Sequence, residues 1–99
     1  MAEILGHPLA LVTGASSGIG FELAKLLAAK GYDLVVAADR PLGDVEEAVR
    51  IAGADVALSM EVDLSKAEAI DVLVARVREL GRPIDILCAN AGHGLVDKI

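Results

Sequence analysis

The stretch Thr13-Gly14-Ala15-Ser16-Ser17-Gly18-Ile19-Gly20 holds the residue types best suited to chemistry in this 99-residue chain. A diphosphate is recognised by backbone N–H donors at a helix N-terminus, by a turn that tolerates positive φ, and by an approach free of side chains. The glycines match those needs. Gly14 suits the tight turn off a strand, Gly18 the close approach of a ligand, and Gly20 a close contact of helix with sheet. Ser16 and Ser17 add hydroxyls for phosphate or ribose oxygens, with Thr13 and Ile19 in the same motif. The spacing is GxxxGxG, distinct from the GxGxxG dinucleotide fingerprint. A glycine-rich turn also serves as a plain structural turn, so its setting has to decide. Asp39 stands nineteen residues after Gly20, at the end of a second apolar run. From there a carboxylate reaches the hydroxyls of an adenosine ribose. Its charge repels a 2′-phosphate and favours NAD, whereas the adjacent Arg40 can pair with such a phosphate and keeps NADP open. The plain alternative for Asp39-Arg40-Pro41 is a solvated turn.

Other chemistry finds little support. General acid/base work asks for a titratable group near the reacting carbon. His93 is the sole candidate, and its neighbours Gly92 and Gly94 mark it as a solvated loop residue. His7, beside Pro8, reads as an exposed lead-in. No His, Cys, Asp or Glu cluster has metal-ligand spacing, and no Ser sits in a nucleophile elbow with a base partner. The expected catalytic set and metal set are therefore both empty. Cys88 cannot form an internal disulfide and reads as a small core hydrophobe, which points to a reducing, cytoplasmic setting.

Composition bounds the rest. With 55% hydrophobic and 24% charged residues, the chain is expected to form a single domain over 1–99, neither disordered nor divided. Phe21 and Tyr32 are its only aromatics, so the core must be aliphatic. A net charge of −6 with scattered basic residues argues against nucleic acid or an anionic membrane as partner. No Lys or Arg precedes Lys25, and Gly6, His7 and Pro8 break the early apolar stretches. Neither a signal peptide nor a transmembrane helix is expected.

These residues need elements to position them. Leu9 to Val12 is a short apolar run ending at Thr13-Gly14, the pattern of a strand buried on both faces. Leu23, Leu26 and Leu27 then recur at helical spacing, and Gly31 suits a helix C-cap. Leu34 to Ala38 predicts a second strand, and Val45, Ala48, Val49 and Ala52 predict one face of a helix over 44–52. Val56 to Val62 predicts a third strand despite Glu61. Ser65 and Glu68 form a capping box for a helix whose stripe is Ile70, Leu73, Val74, Val77 and Leu80, ended by Gly81 and Pro83. Ile84 to Ala89 predicts a fourth strand before Asn90. Strands alternating with helices imply a Rossmann-type, doubly wound α/β fold. The expected parallel sheet has four strands in order 3-2-1-4 with three helices.

Thr13 to Gly20 closely resembles the TGxxxGxG cofactor motif of the short-chain dehydrogenases/reductases. Val62-Asp63-Leu64 resembles their adenine-contacting aspartate segment, and Asn90-Ala91-Gly92 is similar to their NNAG motif with Ala89 in place of the first Asn. The resemblance spans essentially the whole chain. It implies that Asp63 bonds the adenine amino group with Leu64 beside it. It further implies that Asn90 ties the central strands together and that Ala91 and Gly92 lie along the cofactor ribose. By the residues alone, Asp63 is equally a helix-entry residue ahead of Ser65. Full-length members carry a catalytic Asn, a Ser and a Tyr-x-x-x-Lys pair later in the chain. No such pair occurs here, and Tyr32, four residues before Val36, cannot stand in for it.

The domain is therefore expected to be incomplete, with Ile84 to Ala89 an open edge that invites another chain. Two readings follow. The chain is the cofactor-binding portion of a short-chain dehydrogenase/reductase-like oxidoreductase, inert alone and completed by a C-terminal half. The alternative is a non-catalytic nucleotide-binding or interaction module that associates through that edge. A homo-oligomer or a complementing C-terminal fragment is the expected protein partner, beside the dinucleotide.

Overall fold

The computed structural model describes residues 7–90. Four parallel strands alternate with three helices: β1 Leu9–Thr13, α1 Gly18–Ala29, β2 Asp33–Ala38, α2 Gly43–Ile51, β3 Val56–Glu61, α3 Ala67–Glu79 and β4 Ile86–Cys88. The sheet order is β3-β2-β1-β4, the order expected from the alternation. β1 lies in the middle, with Ala10 opposite Leu34 on one side and Ile86 on the other. The β2–β3 register slips by one residue after Leu34, so that Val35 pairs with Leu58 and Ala57 is passed over. Such a bulge bends the strand locally.

Alternation of side chains along each strand divides the core in two. Ala10, Val12, Leu34 and Val36 point to one face and meet Ala24, Leu27 and Ala28 of α1 and Val45 and Val49 of α2. Leu9, Val35 and Ala37 point to the other face and meet Leu73, with Ala69 and Val77 beside it, from α3. Two helices cover one side of the sheet and one covers the other. Burial follows that imbalance: every residue of β2 is buried, whereas β3 is only partly covered and Leu87 of β4 is 57% exposed.

Several expected details change. The fourth strand is three residues long rather than Ile84 to Ala89, because only Ile86 to Cys88 pair with β1. On α1 the buried residues are Gly20, Ala24, Leu27 and Ala28, and Leu26 is 52% exposed. Leu26 lies two residues from both Ala24 and Ala28, about 200° round the helix from each, and so faces outward. On α3 only Leu73 is buried, and Ile70 and Val74 stay exposed at the flanks of the stripe. Ala52 is exposed beyond the end of α2.

The expected Ser65/Glu68 capping box does not form. Lys66 occupies the N-cap of α3 in extended geometry with no side-chain cap. The Ser65 hydroxyl and N–H both donate instead to Asp63 Oδ1, at 2.6 and 3.0 Å. A carboxylate two residues upstream competes for the donors of a Ser that would otherwise cap the helix.

Candidate functional site

Every strand of a parallel sheet ends on the same edge, so the loops after β1, β2 and β4 converge there. The connection from β1 runs toward β2 on one side, while β4 lies on the other, which makes the boundary of β1 and β4 the switch point where open α/β sheets form a crevice. A cleft of about 370 Å³ occupies that place, lined by Gly14, Ser16, Ser17, Gly18, Ile19, Asp39, Arg40 and Asn90. All of these residues are among those singled out by motif. The structure brings them together from three loops that are far apart in the chain.

The first turn of the cleft uses left-handed backbone. Gly14 has φ of 65° and Gly18 has φ of 61°, values that cost a residue with a side chain about 1 kcal/mol or more. A Cβ on Gly18 would meet nothing within 4 Å, whereas one on Gly20 would lie 2.1 Å from the Gly14 carbonyl oxygen and 3.1 Å from Asn90 Nδ2. The two glycines thus differ: Gly18 keeps open space at the mouth of the cleft, and Gly20 permits the loop and helix to touch.

The N-terminus of α1 opens into this space. Ser17 is its N-cap in extended geometry, without a side-chain hydrogen bond to the helix, and the first turn contains no acidic residue. The other two helices differ, with Asp44 and Glu46 in the first turn of α2 and Glu68 in that of α3. No described helix has a side-chain cap, but only at α1 does the positive end of the helix dipole also lack a first-turn acid. The gap at Gly18 and this electropositive end fit a diphosphate.

Thr13 holds the floor. Its Oγ1 accepts the Asn90 N–H at 2.8 Å and donates to the Cys88 carbonyl at 3.5 Å, so the end of β1 is tied to the chain leaving β4. Thr13 is 7% exposed and Gly20 is buried, and neither lines the cleft. Asp63 is exposed and Leu64 is buried at 6%, both outside the cleft lining. The two Ser65 donors hold the Asp63 carboxyl below its usual range, with a smaller contribution from Lys66. Asp39 and Arg40 are exposed where β2 ends. Ala91, Gly92 and His93 lie outside the described residues.

One cluster went unforeseen from the sequence. At the opposite edge of the sheet the buried Asp33 carboxylate accepts Arg82 Nη2 at 3.0 Å and the Asp55 N–H at 3.3 Å, with His7 Nδ1 at 3.3 Å. Burial tends to raise the Asp33 pKa, but the bonds to His7, Arg82 and Asp55 outweigh it and the net direction is down. Nothing in the spacing of His7, Asp33 and Arg82 signals this meeting. Among the described residues no three His, Cys, Asp or Glu side chains are grouped to hold a metal ion, and no helix is long and apolar enough to cross a membrane.

Residues 8–99 match the family model of the short chain dehydrogenases. The chain is 37% identical over 94 residues to an NAD-dependent glycerol dehydrogenase of Listeria innocua, covering 91% of this chain and 35% of that protein. It is 37% identical over 87 residues to a probable NADP-dependent dehydrogenase of Dichelobacter nodosus, covering 88% of this chain and 80% of the relative. Among solved structures, L-sorbose reductase from Gluconobacter frateurii, complexed with NADPH and L-sorbose, superposes with a TM-score of 0.80 at 33% identity. That match covers 91% of this chain and 35% of the reductase. A 3-oxoacyl-[acyl-carrier protein] reductase from Brucella melitensis, in complex with NAD, gives 0.77 at 35% identity over 94% of this chain and 36% of its own. The chain thus spans about a third of the length of most of these relatives. Motif, sheet order, cleft and sequence agreement over 8–99 converge: the chain belongs to the short-chain dehydrogenase family.

Proposed function

We propose that the chain forms the dinucleotide-binding part of an NAD(P)-dependent oxidoreductase that moves a hydride between a nicotinamide and a carbonyl or alcohol. The observation that carries this reading is the uncapped, acid-free N-terminus of α1 opening into a cleft flanked by Ser16, Ser17, Asp39, Arg40 and Asn90. In it, N–H groups from Ser17 to Gly20 receive the pyrophosphate, helped by the hydroxyls of Ser16 and Ser17. Asp39 accepts from the adenosine ribose hydroxyls. Asp63, beside Leu64, takes the adenine amino group, Asn90 ties the central strands together at the cleft, and Ala91 and Gly92 are assigned to the cofactor ribose. The nicotinamide, when bound, supplies the hydride carrier. Tyr-x-x-x-Lys is absent from these 99 residues, so the acid/base step is assigned to a further segment of the family fold. The side of β4 left unpaired among the described residues is the edge where that segment, or failing it a second copy of the chain, would pair. The lone Cys88 suits a reducing cytoplasmic compartment.

NAD is proposed as the preferred cofactor because Asp39 places a negative charge where a 2′-phosphate would sit, with NADP the alternative through Arg40. Calorimetric titration with ADP-ribose, NAD and NADP tests both levels. Wild-type chain is expected to bind ADP-ribose and to prefer NAD. Asp39→Asn should weaken NAD by about tenfold, roughly 1.4 kcal/mol, and narrow the gap to NADP. Failure of all three to bind would refute the proposal, and a wild-type preference for NADP would reverse the cofactor choice alone.

A further inference from the structure

The cleft lies at the carboxyl ends of the strands, and the Asp33 cluster lies at their amino ends. We propose that the Asp33–Arg82 clasp is a positioning device for the cleft, acting along β4. The inference rests on the nucleotide reading of that cleft.

β4 has little of its own to hold it. It pairs through three residues, on one side only among the described residues, and its central Leu87 is 57% exposed. Strand pairing this short with half-covered side chains docks weakly by itself. Its attachment is reinforced at both ends. Before β4, the Leu9 N–H donates to Asp85 Oδ2 at 2.9 Å and the Asp85 N–H donates to the Leu9 carbonyl at 2.8 Å. Arg82 then reaches past β1, donating from Nη2 to the His7 carbonyl at 2.7 Å and to Asp33 Oδ2 at 3.0 Å. The loop before β4 is thereby fastened to the first residue of β2, two strands away. After β4, the Asn90 N–H is fastened to Thr13 Oγ1.

The Asp85 and Asn90 fastenings are joined by a short stretch whose middle, Ile86–Cys88, is strand paired to β1. From Asp85 to Asn90 an extended chain spans about 16 Å at roughly 3.3 Å per residue. A shift at the clasp is therefore passed to Asn90, which lines the cleft and stands against Gly20. Because the Asp33 side chain is only 8% exposed, loss of Arg82 leaves a buried carboxylate short of a donor, and β4 loses the contact that spans the sheet. Clasp and nucleotide then each favour the same docked position of β4, and each should strengthen the other.

Amide hydrogen exchange on the 99-residue chain without nucleotide, paired with ADP-ribose titration, tests this. The variants are Arg82→Ala and Asp33→Asn, with Val49→Ala as a control that loosens α2 away from β4. In the clasp variants, exchange at the β4 amides and at Asn90 is expected to quicken at least tenfold while Val35 and Val36 keep their rates. ADP-ribose affinity should fall at least threefold, and Val49→Ala at matched overall stability should leave it nearly unchanged. The proposal is overturned if β4 exchange is unaltered, if β2 and β4 quicken together, or if affinity holds despite fast exchange at β4. Absence of ADP-ribose binding by the wild-type chain would refute the cleft reading and the linkage together. That result is distinguished from failure of the clasp because exchange is read without nucleotide.

Discussion

Gly18 and Gly20 are separated by a single residue and fail in different ways when given a methyl group. At Gly20 the new Cβ would stand 2.1 Å from the Gly14 carbonyl oxygen, so loop and helix must part. Overpacking of this kind costs about 1–3 kcal/mol, and Gly20→Ala should lower the urea midpoint accordingly. At Gly18 the Cβ enters open space, and its φ of 61° adds a strain of about 1 kcal/mol. Gly18→Ala should therefore remain folded yet bind ADP-ribose at least tenfold more weakly, because the methyl group occupies the mouth of the cleft. Equal loss of stability in the two variants would contradict the assignment. The sequence motif already separates the roles of the two glycines, and the packing adds that Gly20 is held against the Gly14 carbonyl and Asn90.

At the scale of elements, the N-terminus of α1 is the exception among the described helices. It lacks both a side-chain cap and a first-turn acid. Ser17→Asp should raise unfolding free energy by about 0.5–1 kcal/mol by capping the helix and opposing its dipole. The same carboxylate would repel a diphosphate, so nucleotide affinity should fall as stability rises. Parallel loss, or no change in affinity, would speak against a phosphate site at this helix end. Thr13 is the second case, since it links β1 to the chain leaving β4. Thr13→Val keeps the shape and removes the acceptor of the Asn90 N–H, with an expected cost of about 1–3 kcal/mol, measured by thermal unfolding.

The whole molecule responds to pH through Asp33. Its folded pKa is lowered by His7, Arg82 and Asp55 acting against burial, so in mild acid the unfolded chain binds more protons than the folded one. The stabilisation is present above the ordinary carboxylate pKa of about 4 and is lost as pH falls through the folded value. Wild type should lose stability on acidification below about pH 5 more steeply than Asp33→Asn, measured by urea unfolding across pH 3–7. Parallel curves would show that the clasp adds nothing. The asymmetry of the sheet belongs to this scale too. With α1 and α2 on one face and α3 alone on the other, Leu87, Ile70 and Val74 remain exposed.

Element order, strand order and the residues around the cleft were legible in the sequence, because each depends on local pattern: alternating apolar runs, a glycine spacing, and an acid at the end of β2. Family membership followed from the same motifs, and nothing in the comparisons favours a non-catalytic interaction module. Local pattern misjudged the ends and faces of elements. Ser65 was drawn from its capping role by Asp63, Leu26 fell off the face centred on Ala24 and Ala28, and β4 shrank to the residues that β1 can pair. The Asp33, Arg82 and His7 cluster was invisible for a different reason. Its members are separated in sequence by tens of residues, and only the parallel register that aligns the starts of β1, β2 and β4 brings their side chains within hydrogen-bonding distance.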